Sequence, residues 1–387
     1  MTKHKVAILI PTMNRSEFLI RQLRYYVSVG SPHPIYIGDA SNIEHKERIE
    51  NAIQELQSQI NIYYYHWPEH NDRVTLTDLG KVAKESYCAF IGDDDFFVPR
   101  SLSKCAEFLE RNPEYRLAQG KAAVFSLKEP GPFGAMNGVA PYWSKKEAEE
   151  KTGAERILHF CQNYWVPQFS VHRRNEFLDD SINYREITDR SFGEILHTFT
   201  FISKGKSKFI DCLYLFRQVH NARYTLPDNF DWITGPDWQP SYQIFHDTLT
   251  DALSSVDNIS ESKASEIVKQ AFWAYLAGGM LNKYQSKYGQ TTSSKQNAIV
   301  NGKVNSRKSL RELVKKIPGA REVVNQLRNV KASIVPRQVD KMTKEDRWAI
   351  RAEKGELLLP ALLHSSSPYH EDFLPVYEAV TGQPVKL

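Results

Sequence analysis

The first hundred residues alternate between short apolar runs and amphipathic stretches, and this alternation limits the fold more than any other feature. Apolar runs of strand length occupy residues 6–10, 35–41, 60–66 and 87–91. Each of the first three is followed by apolar residues at every third or fourth position, the spacing of a helix that buries one face. Strands and helices in this order form parallel sheets covered by helices. The predicted fold class is therefore α/β, with a mostly parallel sheet, helices on both faces and the strand ends along one edge.

Beyond this region the pattern changes. Residues 101–111 predict a helix and residues 117–127 predict one or two strands. Residues 130–144 are rich in glycine, proline and aromatic side chains and indicate a mobile loop. After about Leu226 the pattern is mainly helical, with a strong helix predicted over residues 263–288.

These boundaries predict two regions. Residues 1–226 form the α/β domain, with a first half over residues 1–127 and a second half over residues 128–226. Residues 227–387 form a mainly helical extension with a polar, flexible linker near residues 286–309.

Composition excludes several classes of protein. The chain of 387 residues is 41% hydrophobic and 25% charged, as in ordinary soluble proteins, and its net charge of +4 does not indicate nucleic-acid binding. Its four cysteines are widely spaced, which favours reduced thiols. No apolar run approaches the length of about 20 residues needed to cross a membrane. We expect a cytoplasmic protein.

Three consecutive carboxylates, Asp93, Asp94 and Asp95, follow the fourth apolar run and Gly92. Adjacent like charges at a sheet edge are unfavourable unless a cation or strong hydrogen-bond donors compensate. Carboxylate oxygens are preferred ligands of Mg²⁺ and Mn²⁺, and ligands of open α/β sheets bind at the carboxyl ends of strands. The run therefore indicates a metal site, and a solvated acidic turn before a helix near Pro99 is the alternative.

Three segments together resemble the family-2-like glycosyltransferases with the GT-A fold, a Rossmann-like architecture. VAILIPTMNRSEFL resembles that family's opening strand and nucleotide-binding turn, IGDAS its second-strand aspartate motif, and AKESYCAFIGDDDFFVP the segment that ends in the DXD metal motif. The resemblance covers roughly residues 5–225, and the order and spacing of the motifs make it specific.

The resemblance implies a site for a nucleotide-sugar donor. Asp39 would read the base by accepting its ring N–H, while Pro11, Thr12 and Arg15 would line the nucleoside pocket, with Arg15 able to bind phosphate. Asp93 is placed with these nucleotide-binding residues. Taken alone, Asp39 is equally a turn residue and Arg15 a solvated helix start.

The resemblance also implies a divalent cation, Mn²⁺ or Mg²⁺, that neutralises the diphosphate leaving group. The expected ligands are Asp94, Asp95 and His220. The chain departs from the family pattern because Gly92 stands where the first aspartate of DXD is usual, so a register with Asp93 and Asp95 as the pair stays open. Arg217 and Arg223 are expected to contact phosphate.

An inverting enzyme of this kind needs a carboxylate that takes the proton from the acceptor hydroxyl. The segment REITDRSFGEIL, residues 185–196, occupies the place where the family carries it. Asp189 is the predicted base, with Glu186 and Glu194 as rivals. Asp189 also has the sequence context of a helix N-cap, a role that is compatible with catalysis.

Aromatic side chains and the basic tail suggest where an acceptor binds. Trp165, Tyr164 and Trp143 are candidates for stacking on sugars, although core packing is the more common role of such residues. The tail after the linker carries many basic side chains. It is interpreted as a helical extension that packs on the catalytic domain or on a second subunit in a homodimer, or as a peripheral contact with an anionic membrane or a lipid-linked acceptor.

The function expected from these residues is a metal-dependent, inverting glycosyltransferase. It would transfer a sugar from a nucleotide-diphosphate sugar, with a UDP-sugar favoured, to a glycan or other hydroxyl acceptor in polysaccharide biosynthesis. The alternative is an inactive, nucleotide-binding scaffold in a glycan assembly complex. Gly92, which replaces the usual first aspartate of DXD, is the feature that supports this alternative. A dehalogenase-type phosphatase is disfavoured by Phe97 in its motif, and a sugar-nucleotide pyrophosphorylase by the lack of glycines after the first strand.

Overall fold

The computed structural model describes residues 4–143, 146–162, 164–181, 183–221, 226–288 and 343–382. These residues belong to two compact units. Met1–Leu276 and Arg351–Leu387 make up the first, and Ala277–Ile350 makes up the second. The part of the linker and tail between residues 289 and 342, with the basic side chains discussed above, lies outside the described residues.

Strands and helices alternate through the first hundred residues, as predicted. In chain order they are β1 (Val6–Thr12), α1 (Ser16–Ser28), β2 (Ile35–Asp39), α2 (Ile43–Leu56), β3 (Ile62–His66), α3 (Asp72–Val82) and β4 (Tyr87–Phe90). Residues of β1 face both sides of the sheet: Val6, Ile8 and Ile10 pack in one core, and Ala7 and Leu9 in another. A strand buried on both faces needs a continuous apolar run, and this explains the sequence of β1.

The second half of the α/β part contributes longer strands. In chain order the elements are β5 (Phe96–Phe97), α4 (Pro99–Arg111), β6 (Tyr115–Leu127), β7 (Met136–Trp143), α5 (Gly153–Gln162), β8 (Val171–Arg173), α6 (Arg174–Asp180), α7 (Arg190–Lys204) and β9 (Lys206–Gln218). Helices then dominate, with α8 (Asn229–Ile233), α9 (Trp238–Asp257), α10 (Glu261–Tyr288), α11 (Lys344–Glu353), α12 (Leu359–Leu362) and α13 (His370–Thr381). The expected α/β architecture with a mainly helical C-terminal region is confirmed.

The strands form one nine-stranded sheet in the order β3-β2-β1-β4-β8-β6-β9-β5, with β7 paired to β6. The four strands β3, β2, β1 and β4 are parallel. The other half is mixed, because β8 is antiparallel to both β4 and β6, whereas β9 is parallel to β6. It follows that β9 runs in the same direction as β4, so its carboxyl end reaches the same edge as those of β1 and β2.

The prediction of a mobile loop over residues 130–144 was wrong in its second half. Met136–Trp143 forms β7, which pairs antiparallel with the second half of β6. Glycine and proline do mark a turn here: Gly131 and Gly134 have φ values of 112° and 155°, in the region that favours glycine. The turn is therefore confined to the residues before Met136.

Three apolar cores hold the first unit together. One lies between the sheet and helices α1, α2 and α4, and the opposite sheet face packs on α3 and on residues of α6 and α7. A separate core joins α5, α7, α9 and α10 around the fully buried ring of Phe192. The helical part is thus attached to the α/β part through α7, which contributes to both.

The last described helix returns to the sheet. Phe373 of α13 is fully buried, and its ring lies 5.4 Å from that of Phe216 in β9. Arg100, in the first turn of α4, forms an ion pair with Asp372. Residues 351–382 therefore complete the core on the α1 side of the sheet.

Candidate nucleotide and metal site

The acidic segment lies between two strands of the sheet. β4 ends at Phe90, and β5 begins at Phe96 and pairs with the end of β9. The acidic segment, Asp93, Asp94 and Asp95, lies in the connection between β4 and β5, and all three residues are buried. A solvated acidic turn, the alternative considered from sequence, does not describe these side chains. Buried carboxylates require partners, and the partners identify what the segment can do.

Asp95 fastens the segment to the end of β9. Its Oδ2 accepts a hydrogen bond of 2.8 Å from Nε of Arg217, and its Oδ1 accepts one of 2.9 Å from the backbone N–H of Gln218. The Arg217 guanidinium also donates to the Tyr142 hydroxyl and lies over the Phe169 ring. Both oxygens of Asp95, a predicted metal ligand, thus engage in contacts that shape the site, and Arg217, a predicted phosphate partner, contacts a carboxylate.

Asp93 and Asp94 share one guanidinium. Nη2 of Arg15 lies 3.3 Å from Asp93 Oδ1 and 2.9 Å from Asp94 Oδ2. The Thr12 hydroxyl donates to Asp93 Oδ2 at 2.7 Å, and Nε2 of His220 lies 2.9 Å from Asp94 Oδ2. The structure therefore brings together five residues that the resemblance assigned to nucleotide or metal.

The two carboxylates have different electrostatic surroundings. Burial raises the pKa of Asp93 to about 7, although Arg15 opposes the shift. Burial acts in the same direction on Asp94, but the hydrogen bond with His220 and the charge of Arg15 outweigh it and lower the pKa of Asp94 below its usual range. Asp94 is thus the carboxylate held in its charged form.

Arg21 binds the backbone of the acidic segment. Its guanidinium is 1% exposed and donates to the backbone carbonyls of Asp94 and Pro132 and to Oε1 of Gln218. Burial lowers the pKa of Arg21 to about 10. With Arg15 and Arg217, it brings a third positive charge next to three carboxylates. Hydrogen-bond donors and positive charges of the protein itself thus compensate the three adjacent negative charges.

Gly92, the departure from the family pattern, has a steric reason. A Cβ atom at this position would lie 2.7 Å from Oδ1 of Asp94, closer than carbon and oxygen can approach. Glycine at position 92 therefore leaves room for the Asp94 carboxylate in this orientation. Asp94, rather than Asp93, is the carboxylate that lies beside His220.

Asp39 stands at the same edge of the sheet. Asp39 and Thr12 are paired in the register of β1 and β2, and Pro11 lies opposite Gly38. Oδ2 of Asp39 accepts a hydrogen bond of 2.7 Å from the Tyr64 hydroxyl, and Oδ1 accepts the backbone N–H of Ser41 at 2.8 Å. The carboxylate is fully buried and held in one orientation.

The turn after β1 is held against the turn after β2. Asn14 has a φ of 55°, in the left-handed region that asparagine tolerates, and its backbone N–H donates to the Ser41 hydroxyl. Its side chain in turn accepts the N–H of Asn42. Helix α1 follows, and Arg15 occupies its N-cap position. The Arg15 side chain makes no capping hydrogen bond to the helix. This geometry aims Arg15 at the acidic segment instead of along its own helix.

Asp189 caps helix α7, as its sequence context predicted. Its Oδ1 accepts the backbone N–H of Phe192 at 2.8 Å and the indole N–H of Trp232 at 2.9 Å. The preceding carbonyl, of Thr188, accepts from Arg73 in the first turn of α3. Among the described hydrogen bonds, none joins Asp189 to the acidic segment, so the structure places this candidate base beside the start of α3.

The rivals of Asp189 differ in exposure and partners. Glu186 is exposed, whereas Glu194 is half-buried and accepts the Tyr164 hydroxyl at 2.7 Å. Trp165 is buried against Phe160 in the helical core, and Tyr164 packs at the edge of the same core. These two aromatic residues therefore pack in the core, which is the more common role of such side chains. Arg223 and the side chain of Trp143 lie outside the described residues.

Three side chains of the site belong to none of the sequence motifs. Arg21 and Gln218 join the acidic segment to the turn before β7, and Tyr64 orients Asp39. Arg21 had one detectable signal, because it interrupts the apolar face of α1, where a charged residue needs partners. Tyr64 and Gln218 had none, since their partners come from other strands.

The fit of a divalent cation rests on Asp94 and His220. Within the described residues, no three acidic, histidine or cysteine side chains are grouped so as to hold a metal ion by themselves. Asp94 Oδ2 and His220 Nε2 are 2.9 Å apart. Neighbouring ligands of an octahedral Mg²⁺ or Mn²⁺ ion lie about 3 Å apart, given metal–ligand distances of about 2.1 Å, so one oxygen and one nitrogen fit adjacent positions.

No family model matches the chain. A search of curated proteins finds no match either. Among solved structures, residues 1–349 of TarS from S. aureus align at 13% identity over 73% of this chain and 75% of that chain, with a TM-score of 0.48. The same fragment in complex with UDP-GlcNAc aligns at 14% identity over 73% and 76%, with a TM-score of 0.47. Its complex with UDP aligns at 13% identity over 76% of each chain, with a TM-score of 0.44.

None of the described helices combines the length and the apolar character that crossing a bilayer demands.

Proposed function

We propose that the chain is a glycosyltransferase that transfers a sugar from a nucleotide-diphosphate sugar to a hydroxyl acceptor. The observation that supports this proposal is the convergence of the motif residues. Thr12, Arg15, Asp94 and His220 come from three separate loops and meet around one buried acidic segment, and Asp39 is the register neighbour of Thr12. These are the residues that the sequence resemblance assigned to donor and metal.

The donor site follows from the chemistry of these groups. Asp39 is a fixed carboxylate that can accept the ring N–H of a uracil base, which favours a UDP-sugar. Arg15 carries a guanidinium that can bind two oxygens of a diphosphate side by side. Asp94 and His220 would hold Mn²⁺ or Mg²⁺, and the bound ion would stabilise the charge that develops on the leaving diphosphate.

The acceptor side requires a base. In the proposed function Asp189 takes the proton of the acceptor hydroxyl as that oxygen attacks the anomeric carbon, which inverts its configuration. Both described hydrogen bonds of its carboxylate fall on Oδ1, so Oδ2 is the oxygen proposed to meet the acceptor. A glycan under assembly, as in polysaccharide biosynthesis, is the proposed acceptor class.

Nucleotide binding tests the donor site. We would follow the melting temperature of the protein with UDP, GDP, ADP and CDP, each with and without Mn²⁺. A ligand at about 100 times its dissociation constant stabilises the folded state by about 2.7 kcal/mol, which raises the melting temperature by a few degrees. We expect a rise with UDP that is larger with Mn²⁺. No rise with any nucleotide would contradict the donor site.

Asp94→Ala tests the metal assignment. We expect it to abolish the Mn²⁺-dependent part of the UDP response, because it removes the charged carboxylate beside His220. Asp247→Ala, which removes an exposed carboxylate from α9, is the matched control and should respond like the wild type. An unchanged response of Asp94→Ala would rule out Asp94 as a ligand. UDP binding without hydrolysis or transfer of any UDP-sugar would favour the inactive scaffold.

A further inference from the structure

The guanidinium of Arg15 occupies the place between the groups that the proposed function gives to the cation. Its Nη2 lies 2.9 Å from Asp94 Oδ2, and this same oxygen lies 2.9 Å from His220 Nε2. Nη2 itself is 3.3 Å from the His220 nitrogen. A divalent ion that bound Asp94 and His220 from the side occupied by Arg15 would overlap this nitrogen. The two positive groups therefore exclude each other, both by volume and by charge.

Of the three arginines around the acidic segment, Arg15 has the freedom to leave. It exposes 27% of its side chain, whereas Arg217 exposes 11% and Arg21 is 1% exposed. Arg21 is held by three acceptors, and Arg217 is held by Asp95, by the hydroxyl and ring of Tyr142 and by the ring of Phe169. The described contacts of Arg15 are the two carboxylates, His220 and the face of the Phe18 ring. Displacing it leaves the other two arginines in place.

A second observation indicates what draws Arg15 away. Nε of Arg15 is buried and has no hydrogen-bond partner within the described part of the chain. A buried N–H donor without a partner is unfavourable, by about 1–3 kcal/mol in general. A diphosphate that binds the Nε and Nη edge of the guanidinium side by side would satisfy this donor and the charge together. The carboxylates satisfy only the Nη2 end.

We propose that Arg15 is an internal cation that competes with the metal ion for Asp94 and moves onto the diphosphate when the donor binds. This inference deepens the proposed function and rests on its nucleotide and metal site. It makes metal and nucleotide binding cooperative in a specific way. The diphosphate removes the competitor of the metal, so the nucleotide raises metal affinity by more than its own direct coordination of the ion.

The first test measures Mn²⁺ binding alone, by electron paramagnetic resonance of free Mn²⁺, without nucleotide. We expect Arg15→Ala to bind Mn²⁺ at least about tenfold more tightly than the wild type, because the competitor is gone. Arg15→Lys, which keeps the charge, should bind less tightly than Arg15→Ala. Arg24→Ala, which removes an exposed arginine from the same helix, is the control and should match the wild type. Equal affinities of Arg15→Ala and wild type would overturn the inference.

The second test separates displacement from a general effect of charge. We would measure the factor by which saturating UDP raises Mn²⁺ affinity in each protein. Removing a nearby charge shifts both affinities but leaves this factor unchanged, whereas release of Arg15 contributes to it only where Arg15 is present. We expect the factor to be about tenfold smaller in Arg15→Ala than in the wild type. An equal factor in the two proteins would overturn displacement as its source.

The outcomes also distinguish this inference from the proposed function. Mn²⁺ binding that depends on Asp94 but not on Arg15 would overturn the competition and leave the metal site standing. No Mn²⁺ binding to any of the proteins, with or without UDP, would overturn both. Circular dichroism of each variant at the assay temperature verifies that affinities are compared between folded proteins.

Discussion

At the scale of single residues, the site is built from charges that neutralise one another. Asp93, Asp94 and Asp95 are adjacent, and their separation in space depends on which partner each one takes. Asp95 is directed to β9 by Arg217, whereas the other two are directed to Arg15. Neighbouring carboxylates thereby acquire different roles although nothing in the triplet itself distinguishes them.

Tyr64 is predicted to orient Asp39 for the base. Tyr64→Phe removes the 2.7 Å hydrogen bond to Asp39 Oδ2 while keeping the ring. A hydrogen bond to a charged group contributes about 1.5–3 kcal/mol, so we expect UDP affinity to fall by about tenfold or more. Isothermal titration calorimetry measures the change.

The neighbouring residue on the same strand supplies the control. Tyr65→Phe leaves the stacking of ring 65 on Trp67 intact and should retain the UDP affinity of the wild type. A loss of affinity in Tyr65→Phe equal to that in Tyr64→Phe would assign the effect to β3 as a whole and contradict the orienting role.

His33 is predicted to make the protein sensitive to acid. Its Nδ1 accepts the backbone N–H of Val6 at 3.1 Å and its Nε2 lies 3.0 Å from the carbonyl of Pro99, an arrangement that needs the neutral ring. Burial, reinforced by the charge of Lys5, lowers the pKa of His33 from 6.5 to about 4. The unfolded chain therefore binds more protons than the folded protein between these values. The contribution of His33 to stability is fully present above pH 6.5 and is lost as the pH falls toward 4.

The expected loss is about 3 kcal/mol from this one group, measured as the free energy of unfolding in denaturant between pH 7 and pH 4. In His33→Asn the amide oxygen can accept the same N–H but does not titrate, so the slope of stability against pH should be smaller. His172 and His197 are also buried with lowered pKa values and act equally in both proteins. Identical slopes would contradict this assignment to His33.

Much of the donor side of the site could be predicted from local sequence. Thr12 and Asp39 end strands β1 and β2, Asp94 lies in the connection after β4, and parallel strands deliver their ends to one edge. The arginine partners could not be predicted in the same way. Arg217 is 122 positions away from Asp95, and only the antiparallel pairing of β5 with β9 brings them together.

At the scale of elements, patterns that repeat within a few residues were predicted correctly. The first three helices each bury one face, and the parallel strands are continuous apolar runs. The missed element, β7, follows a glycine- and proline-rich turn whose composition conceals the strand beyond it. β9 pairs with β6 along most of its length. It was not predicted as one long strand, because its first half is mostly half-buried and its second half is buried on both faces, so no single alternation runs through it.

Helix α7 allows the structural and catalytic roles of Asp189 to be separated. Asparagine caps helices as well as aspartate does, so Asp189→Asn should retain the hydrogen bond to Phe192 and the melting temperature. It cannot take a proton, so we expect transfer to fall by about 10²–10⁴-fold with UDP binding preserved. A transfer assay and a thermal melt measure the two effects.

Asp189→Ala completes this comparison. It removes the cap as well and should lower the free energy of unfolding by about 1 kcal/mol. Substantial transfer by Asp189→Asn would move the base to Glu186 or Glu194, which Glu186→Gln and Glu194→Gln would then distinguish.

At the scale of the whole molecule, the prediction concerns the return of the chain to the sheet. Phe373→Ala empties a fully buried site against Phe216, and such truncations cost about 3–5 kcal/mol. We expect the denaturant midpoint to fall accordingly, in one transition that includes the sheet, because α13 belongs to the core on the α1 side. Phe133→Ala, at a ring that is 47% exposed, should have little effect. Loss of α13 structure while the sheet unfolds as in the wild type would contradict this coupling.

The position of α13 has a consequence for synthesis on the ribosome. The strands that carry Asp39 and Asp94 emerge early, but the apolar face that α13 covers stays open until residues 370–381 have left the exit tunnel. After β9 has been synthesised, the nascent chain therefore exposes the apolar patch around Phe216 until α13 follows, and this patch is a surface suited to a holding chaperone. Termination before residue 370 would leave every donor-site motif translated and the patch around Phe216 without its cover.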